Sequence, residues 1–147
     1  MAFVKAVSGE WQNPLLAISF WGLSQVLFML TIYLYEKMLS YNLHAELEKD
    51  NVAVGIAFAG LIIAVGIIFR FALIQEFDTF SIGAIKILIA MIKGTISLIF
   101  VRYLVDYLLF AKTLNYELVG QEKPNVGAGL IEAFSYIGAA LTITWII

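Results

Sequence analysis

Cysteine is absent from this chain, which excludes disulfide scaffolds, thiolate metal sites, cysteine nucleophiles and redox pairs. Histidine occurs once. No H-E-x-x-H pair, no Ser/His/Asp set and no glycine loop ending in Lys-Ser/Thr can be assembled, so the sequence points away from enzymatic chemistry and asks for no cofactor. Charge is scarce too: charged residues make up 14% of the chain and the net charge is −2. No basic field is left to neutralise phosphates, and nucleic-acid binding is set aside. The opening residues MAFVKAVSGEWQNP carry Lys5 and Glu10 and lack a small-residue cleavage pattern. No signal peptide is expected there, and the first helix should stay in the mature protein.

What the chain has instead is apolar surface. Hydrophobic residues are 62% of its 147 positions, against roughly 45 to 50% in a soluble domain. The mean hydropathy is +0.93. A soluble domain of this size would leave much of that set in exposed patches larger than monomers tolerate. Lipid as solvent removes the difficulty.

The apolar residues fall into runs of membrane-spanning length, about 20 residues for a roughly 30 Å hydrocarbon core. The first is Leu15 to Tyr35, with Pro14 in its first turn and Trp11, Trp21, Tyr33 and Tyr35 suited to the headgroup level. A polar segment, Glu36 to Asp50, separates it from a second run that Asn51 opens as a helix cap and Arg70 closes. From Gln75 to Lys93 polarity rises again, with Lys86 and Lys93 on one helical face. This predicts an interfacial helix leading into a third span at Gly94 to Ala111, since a span begun at Phe80 would be roughly 48 Å long. After the polar loop Lys112 to Pro124, Asn125 to Ile147 forms the fourth span. The fold class expected is an all-α integral membrane protein with one membrane domain over residues 1–147.

That domain reads as two repeated hairpins, about 14–75 and 79–147. Laid on Glu117, Leu118, Asn125, Val126, Gly129 and Ala133 are Glu46, Leu47, Asn51, Val52, Gly55 and Ala59. Two spans return the chain to its starting side, so the halves would run parallel about an axis along the membrane normal. Basic residues tie between the two sides: Lys5, Arg70, Lys86 and Lys93 on the side of the termini, Lys37, Lys49, Lys112 and Lys123 on the other. Only the stretch around Lys86 and Lys93 tips the topology towards cytoplasmic termini.

Charges inside spans are costly, by about 2.5 to 3.5 kcal/mol on insertion scales, and are functional candidates by default. Glu132 lies about 10 Å below Asn125 by the helical rise, with Ala128, Ser135, Ala139 and Thr142 on its stripe. Arg102 and Asp106 stand four apart on the third span, where they can pair locally, or Arg102 can reach Glu132 across the bundle. The three form either a structural polar network or a proton or ion pathway. Gly55 with Ala59 and Gly129 with Ala133 are small-xxx-small pairs for close helix packing, within one chain or across a homodimer, and Ala53, Ala57, Gly60 and Ala64 make a second small stripe. Ser24 and Gln25 read as interhelical hydrogen-bond donors. His44 among Glu46, Glu48 and Asp50 is read as part of a solvated acidic loop rather than a metal site.

Asp106 late in a span, Glu117-Leu118 in a loop, and Asn125-Val126 opening a span that contains Glu132-Ala133 together resemble the YjfL-like inner-membrane proteins of bacteria (domain of unknown function three-fifty). The resemblance runs from about Leu15 onward. It implies a multi-pass protein of the bacterial plasma membrane, built from duplicated hairpins and linked to the envelope, and it implies no activity. The expected partners are the lipid bilayer and either a second copy, a dimer being favoured, or other membrane subunits. The expected role is a non-enzymatic scaffold or subunit in envelope maintenance, the alternative a proton or small-ion conduit.

Overall fold

The computed structural model describes residues 14–74 and 80–145. The readings made on Lys5, Glu10, Trp11, Gln75 and Ile147 lie outside those residues. Among the described residues every regular element is an α-helix: α1 Pro14–Met38, α2 Leu43–Glu48, α3 Val52–Leu73, α4 Phe80–Leu109, α5 Leu114–Val119 and α6 Val126–Ile143. Four of them are long and apolar enough to cross a membrane, α1 counted from Ile18.

Helix starts follow local chemistry. Proline at position 14 lacks an N–H that the first turn would leave unpaired anyway. Each later start except that of α4 has a side-chain oxygen accepting from a first-turn N–H: Asn42 from Ala45 at 3.1 Å, Asn51 from Val54 at 3.2 Å, Thr113 from Tyr116 at 3.3 Å and Asn125 from Ala128 at 3.2 Å. The turn from α2 into α3 passes through Asp50 at φ 57°, a left-handed conformation that Asp tolerates better than most residues.

α3 and α6 form the centre of the bundle, and small residues decide how close they come. A methyl group on Gly60 would overlap Ala133, and one on Gly129 would overlap the backbone of Ala53. In lipid, where burial in water gives no driving force between helices, such close approach is what dispersion and packing need. Gly129 and Ala133 thus sit in the contact, but their partners on α3 are Ala53 and Gly60 of the second small stripe. Gly55 meets only the Leu47 side chain, and Ala59 is exposed.

α4 packs on the same centre through Gly94, which accommodates the side chain of Ile68. It is one continuous 30-residue helix, about 45 Å long at the helical rise. The break expected before Gly94 is not there: the glycine is a packing notch, and no proline interrupts the stretch. α1 lies outermost, burying Phe20, Ser24, Thr31 and Tyr35. Ser24 was read as an interhelical donor, yet its hydroxyl donates to the Phe20 carbonyl of its own helix at 2.6 Å.

Two apolar clusters result. The larger holds Leu61, Val65, Ile68, Ile87, Met91, Leu98 and Tyr136 along the length of the bundle. The smaller holds Leu43, Val54, Leu114, Leu118 and Ala128, and pins α2 and α5 across the starts of α3 and α6.

Candidate functional site

The two short helices close one end of the bundle, and the asparagine caps are tied to them in the same way. The Asn51 side-chain amide donates to Glu46 at 2.9 Å while its main-chain N–H donates to the Glu46 carbonyl at 3.1 Å. The Asn125 amide donates to Glu117 at 2.9 Å, and its main-chain N–H to the Glu117 carbonyl, also at 2.9 Å. Asn51 adds a third link, donating to the Leu118 carbonyl of α5 at 3.0 Å. Each cap therefore serves two elements, and Asn51 serves three. The hydrogen bonds from Lys49 and Asn51 hold the Glu46 carboxyl below the usual carboxylate range, against a smaller opposing effect of desolvation.

Beneath that end, about 10 Å from either helix terminus by the helical rise, α4 presents Arg102 to Glu132 of α6. They form an ion pair. Glu132 is 2% exposed, and Arg102 is mostly buried. Tyr136, one turn beyond Glu132, donates its hydroxyl to the same carboxylate oxygen, Oε1. Tyr35 from the end of α1 joins its hydroxyl to that of Tyr136, the two rings meeting edge to face. The guanidinium also donates to Tyr136 at 3.1 Å, to Tyr35 at 3.4 Å and through Nη2 to Asn115 of α5 at 2.6 Å. Asn115 in turn donates to Ser40 at 2.7 Å. One arginine so gathers α1, α4, α5 and α6. An isolated charge buried this deep would cost several kcal/mol, and the pairing with added hydrogen bonds offsets that.

Asp106 takes another path. It does not pair with Arg102 here; it accepts the main-chain N–H of Leu114, securing the start of α5. It does share a pocket of about 90 Å³ with Arg102, Tyr35, Tyr103 and Asn115, lined also by Met38 and Leu114 of the short-helix end. A smaller space of about 10 Å³ lies against Glu132, Arg102, Tyr41 and Phe58. Oε2 of Glu132 has no hydrogen-bond partner in the structure. Burial pushes the phenol of Tyr41, in the turn after α1, above its ordinary value, with Arg102 pulling it back.

Sequence reasoning finds Glu132, Arg102 and Asp106 because charge stands out in an apolar run. It misses Tyr35, Tyr136, Tyr41 and Asn115. Tyr35 was placed at the headgroup level, though it is 4% exposed. Tyr136 had a signal: it follows Glu132 by four, on the same helical face. Ser135 and Thr142, expected beside the carboxyl, bond instead to carbonyls of their own helix. His44 contacts Glu36 at 2.9 Å, and among the described residues no three His, Cys, Asp or Glu side chains converge as a metal site would require.

No curated protein and no solved structure matches the chain. A family match does exist, over residues 10–147, and it takes in the four long helices, the asparagine caps and the Arg102–Glu132 pair. The chain belongs to that family, the one described as Domain of Unknown Function (DUF350).

Proposed function

We propose that this chain is a non-enzymatic multi-pass component of a bacterial inner membrane, acting as a scaffold or subunit of an assembly in envelope maintenance. One observation carries the reading: the buried polar side chains are spent on joining helices, with Arg102 alone linking four elements. The envelope setting follows from the family resemblance. The two halves are duplicated hairpins, a view supported by the matching Asn51–Glu46 and Asn125–Glu117 ties and by a short helix in the same place in each. Lys86 and Lys93, exposed on the first half of α4, mark the cytoplasmic side, the side of both termini. The working state is an oligomer, a dimer before others.

The test is Glu132→Gln, read in two assays. Loss of thermal stability in detergent with no change in ion permeability of liposomes is the expected result. Unchanged stability with an abolished ion flux would overturn the reading.

A second reading is a proton or small-ion conduit element using Glu132, Asp106 and Arg102. It is favoured by the pocket at Arg102 and Asp106 and by the unpartnered Oε2 of Glu132.

A further inference from the structure

We propose that Glu132 is a proton-binding site loaded only from the short-helix end of the bundle, and that its protonation hands Arg102 over from Glu132 to Asp106. The inference sharpens the second reading above but requires no flow across the membrane.

A carboxylate offers about four lone-pair sites, and those of Glu132 are unevenly used. Oε1 receives both Arg102 and Tyr136, while Oε2 is buried and receives nothing. An orphan acceptor in low dielectric is unfavourable and favours whatever brings it a donor. The spaces near it are walled by residues of the short-helix end, Leu39, Tyr41 and Leu43 for one and Met38, Leu114 and Asn115 for the other. The space of about 10 Å³ beside Glu132 is at the lower limit for a single water, roughly 10 to 15 Å³ by the same measure. Its wall includes Arg102, which also lines the pocket of about 90 Å³ at the short-helix end, room for several waters. Arg102 and Tyr35 line both spaces.

In the other direction the described buried hydroxyls, Thr31 and Ser24 of α1, are each spent on a carbonyl of their own helix. Past Tyr136, the described buried side chains of α3, α4 and α6 are apolar, Ala64, Val65, Ile68, Leu98 and Ala140 among them. A site with one opening loads and unloads at the same face. The charged and titratable groups that meet Glu132 are Arg102 from α4, Tyr136 from α6, Tyr35 from α1 and Tyr41 from the turn after it. α3 contributes only apolar Ala57, Phe58 and Leu61 there.

The step balances simply. A proton passes from hydronium in the outer pocket to Oε2, forming an O–H bond and leaving water behind. Glu132 is then neutral, and the Arg102 charge loses its counter-ion. The next carboxylate is Asp106, four residues on along the same face of α4 and in the same pocket. A link between α4 and α6 becomes a link within α4. The Leu114 N–H that Asp106 now holds must share or release it, so the start of α5 loosens as the bundle tie opens.

Infrared difference spectroscopy on the full-length protein in lipid bilayers tests this. Acidification should raise a protonated-carboxyl C=O band that shifts in D2O and is lost in Glu132→Gln. With no native cysteine, Lys123→Cys, exposed in the loop after α5 and outside the network, treated with a membrane-impermeant thiol reagent identifies the face carrying the short helices. In proteoliposomes of known orientation the band should follow the pH on that face, and Glu132→Gln at neutral pH should label at the otherwise buried Leu114→Cys, which keeps the main-chain N–H held by Asp106, as fast as Leu114→Cys alone does in acid. A band that follows the other face, or persists in Glu132→Gln, overturns the proposal. So does the absence of any titrating carboxyl band while the helical spectrum stays intact. A band with no proton flux supports the one-ended site and ends the conduit reading.

Discussion

At the scale of single residues, pairing rather than charge decides what the membrane tolerates. Arg102→Met removes the guanidinium and leaves the Glu132 carboxylate buried without its counter-ion, which should cost about 3 to 5 kcal/mol. Adding Glu132→Leu should recover most of the loss, because two apolar side chains of similar volume need no partner. Unfolding in a mixed-detergent titration checks this, and a double variant no better than the single one would refute the pairing account. The asparagine caps make a second comparison. Asn51→Ala and Asn125→Ala each lose a cap worth about 1 kcal/mol. Asn51 is also buried and holds the Leu118 carbonyl, so its loss should be larger by about 1 to 3 kcal/mol for the orphaned acceptor. Equal losses in the same titration would mean the Leu118 bond contributes nothing. Both asparagines were legible in the sequence as caps, whereas the third partner of Asn51 was not, since Leu118 lies 67 residues away.

At the scale of elements, glycines separate by what they face. Gly60 and Gly129 sit where α3 and α6 touch backbone to backbone, and Gly22 on α1 has open space around it. Gly60→Ala should therefore cost about 1 to 3 kcal/mol through overpacking. Gly22→Ala should stabilise by about 0.5 to 1 kcal/mol, since glycine within a helix carries extra conformational entropy to lose. Thermal unfolding in detergent of the two variants should move in opposite directions, and a shared direction would contradict the contact assigned to Gly60. The sequence displayed two small stripes on the second span, and nothing in their spacing says which one meets α6. α4 teaches a related lesson. Its length and lysines suggested two segments, but helix continuity depends on where Gly94 points, and it points at Ile68.

At the scale of the whole molecule, the outside is as apolar as the inside. Tyr107 and Phe134 are 85% and 67% exposed, in company with many leucines and isoleucines on α1 and α4. A surface of that kind is stable against acyl chains and not against water. Removal of detergent or lipid should therefore precipitate the protein or leave it in large aggregates on a sizing column. A monodisperse species in plain buffer would overturn the membrane assignment. At one end the α2 and α5 segments pack over the starts of α3 and α6, and the only charged pair buried among the described helices lies beneath them.

The sequence by itself determined the solvent, the number of spans, the caps and the short list of charged side chains. Those follow from run length, hydropathy and local hydrogen bonding, which need no knowledge of neighbours. Only the tertiary structure decided that Arg102 takes Glu132 rather than Asp106, that Tyr35 and Tyr136 complete the site, and that Gly60 rather than Gly55 meets α6. An arginine four residues from one acid and across the bundle from another has two satisfactory partners by sequence alone, and the choice is made by which helix faces bring the groups together in a low dielectric.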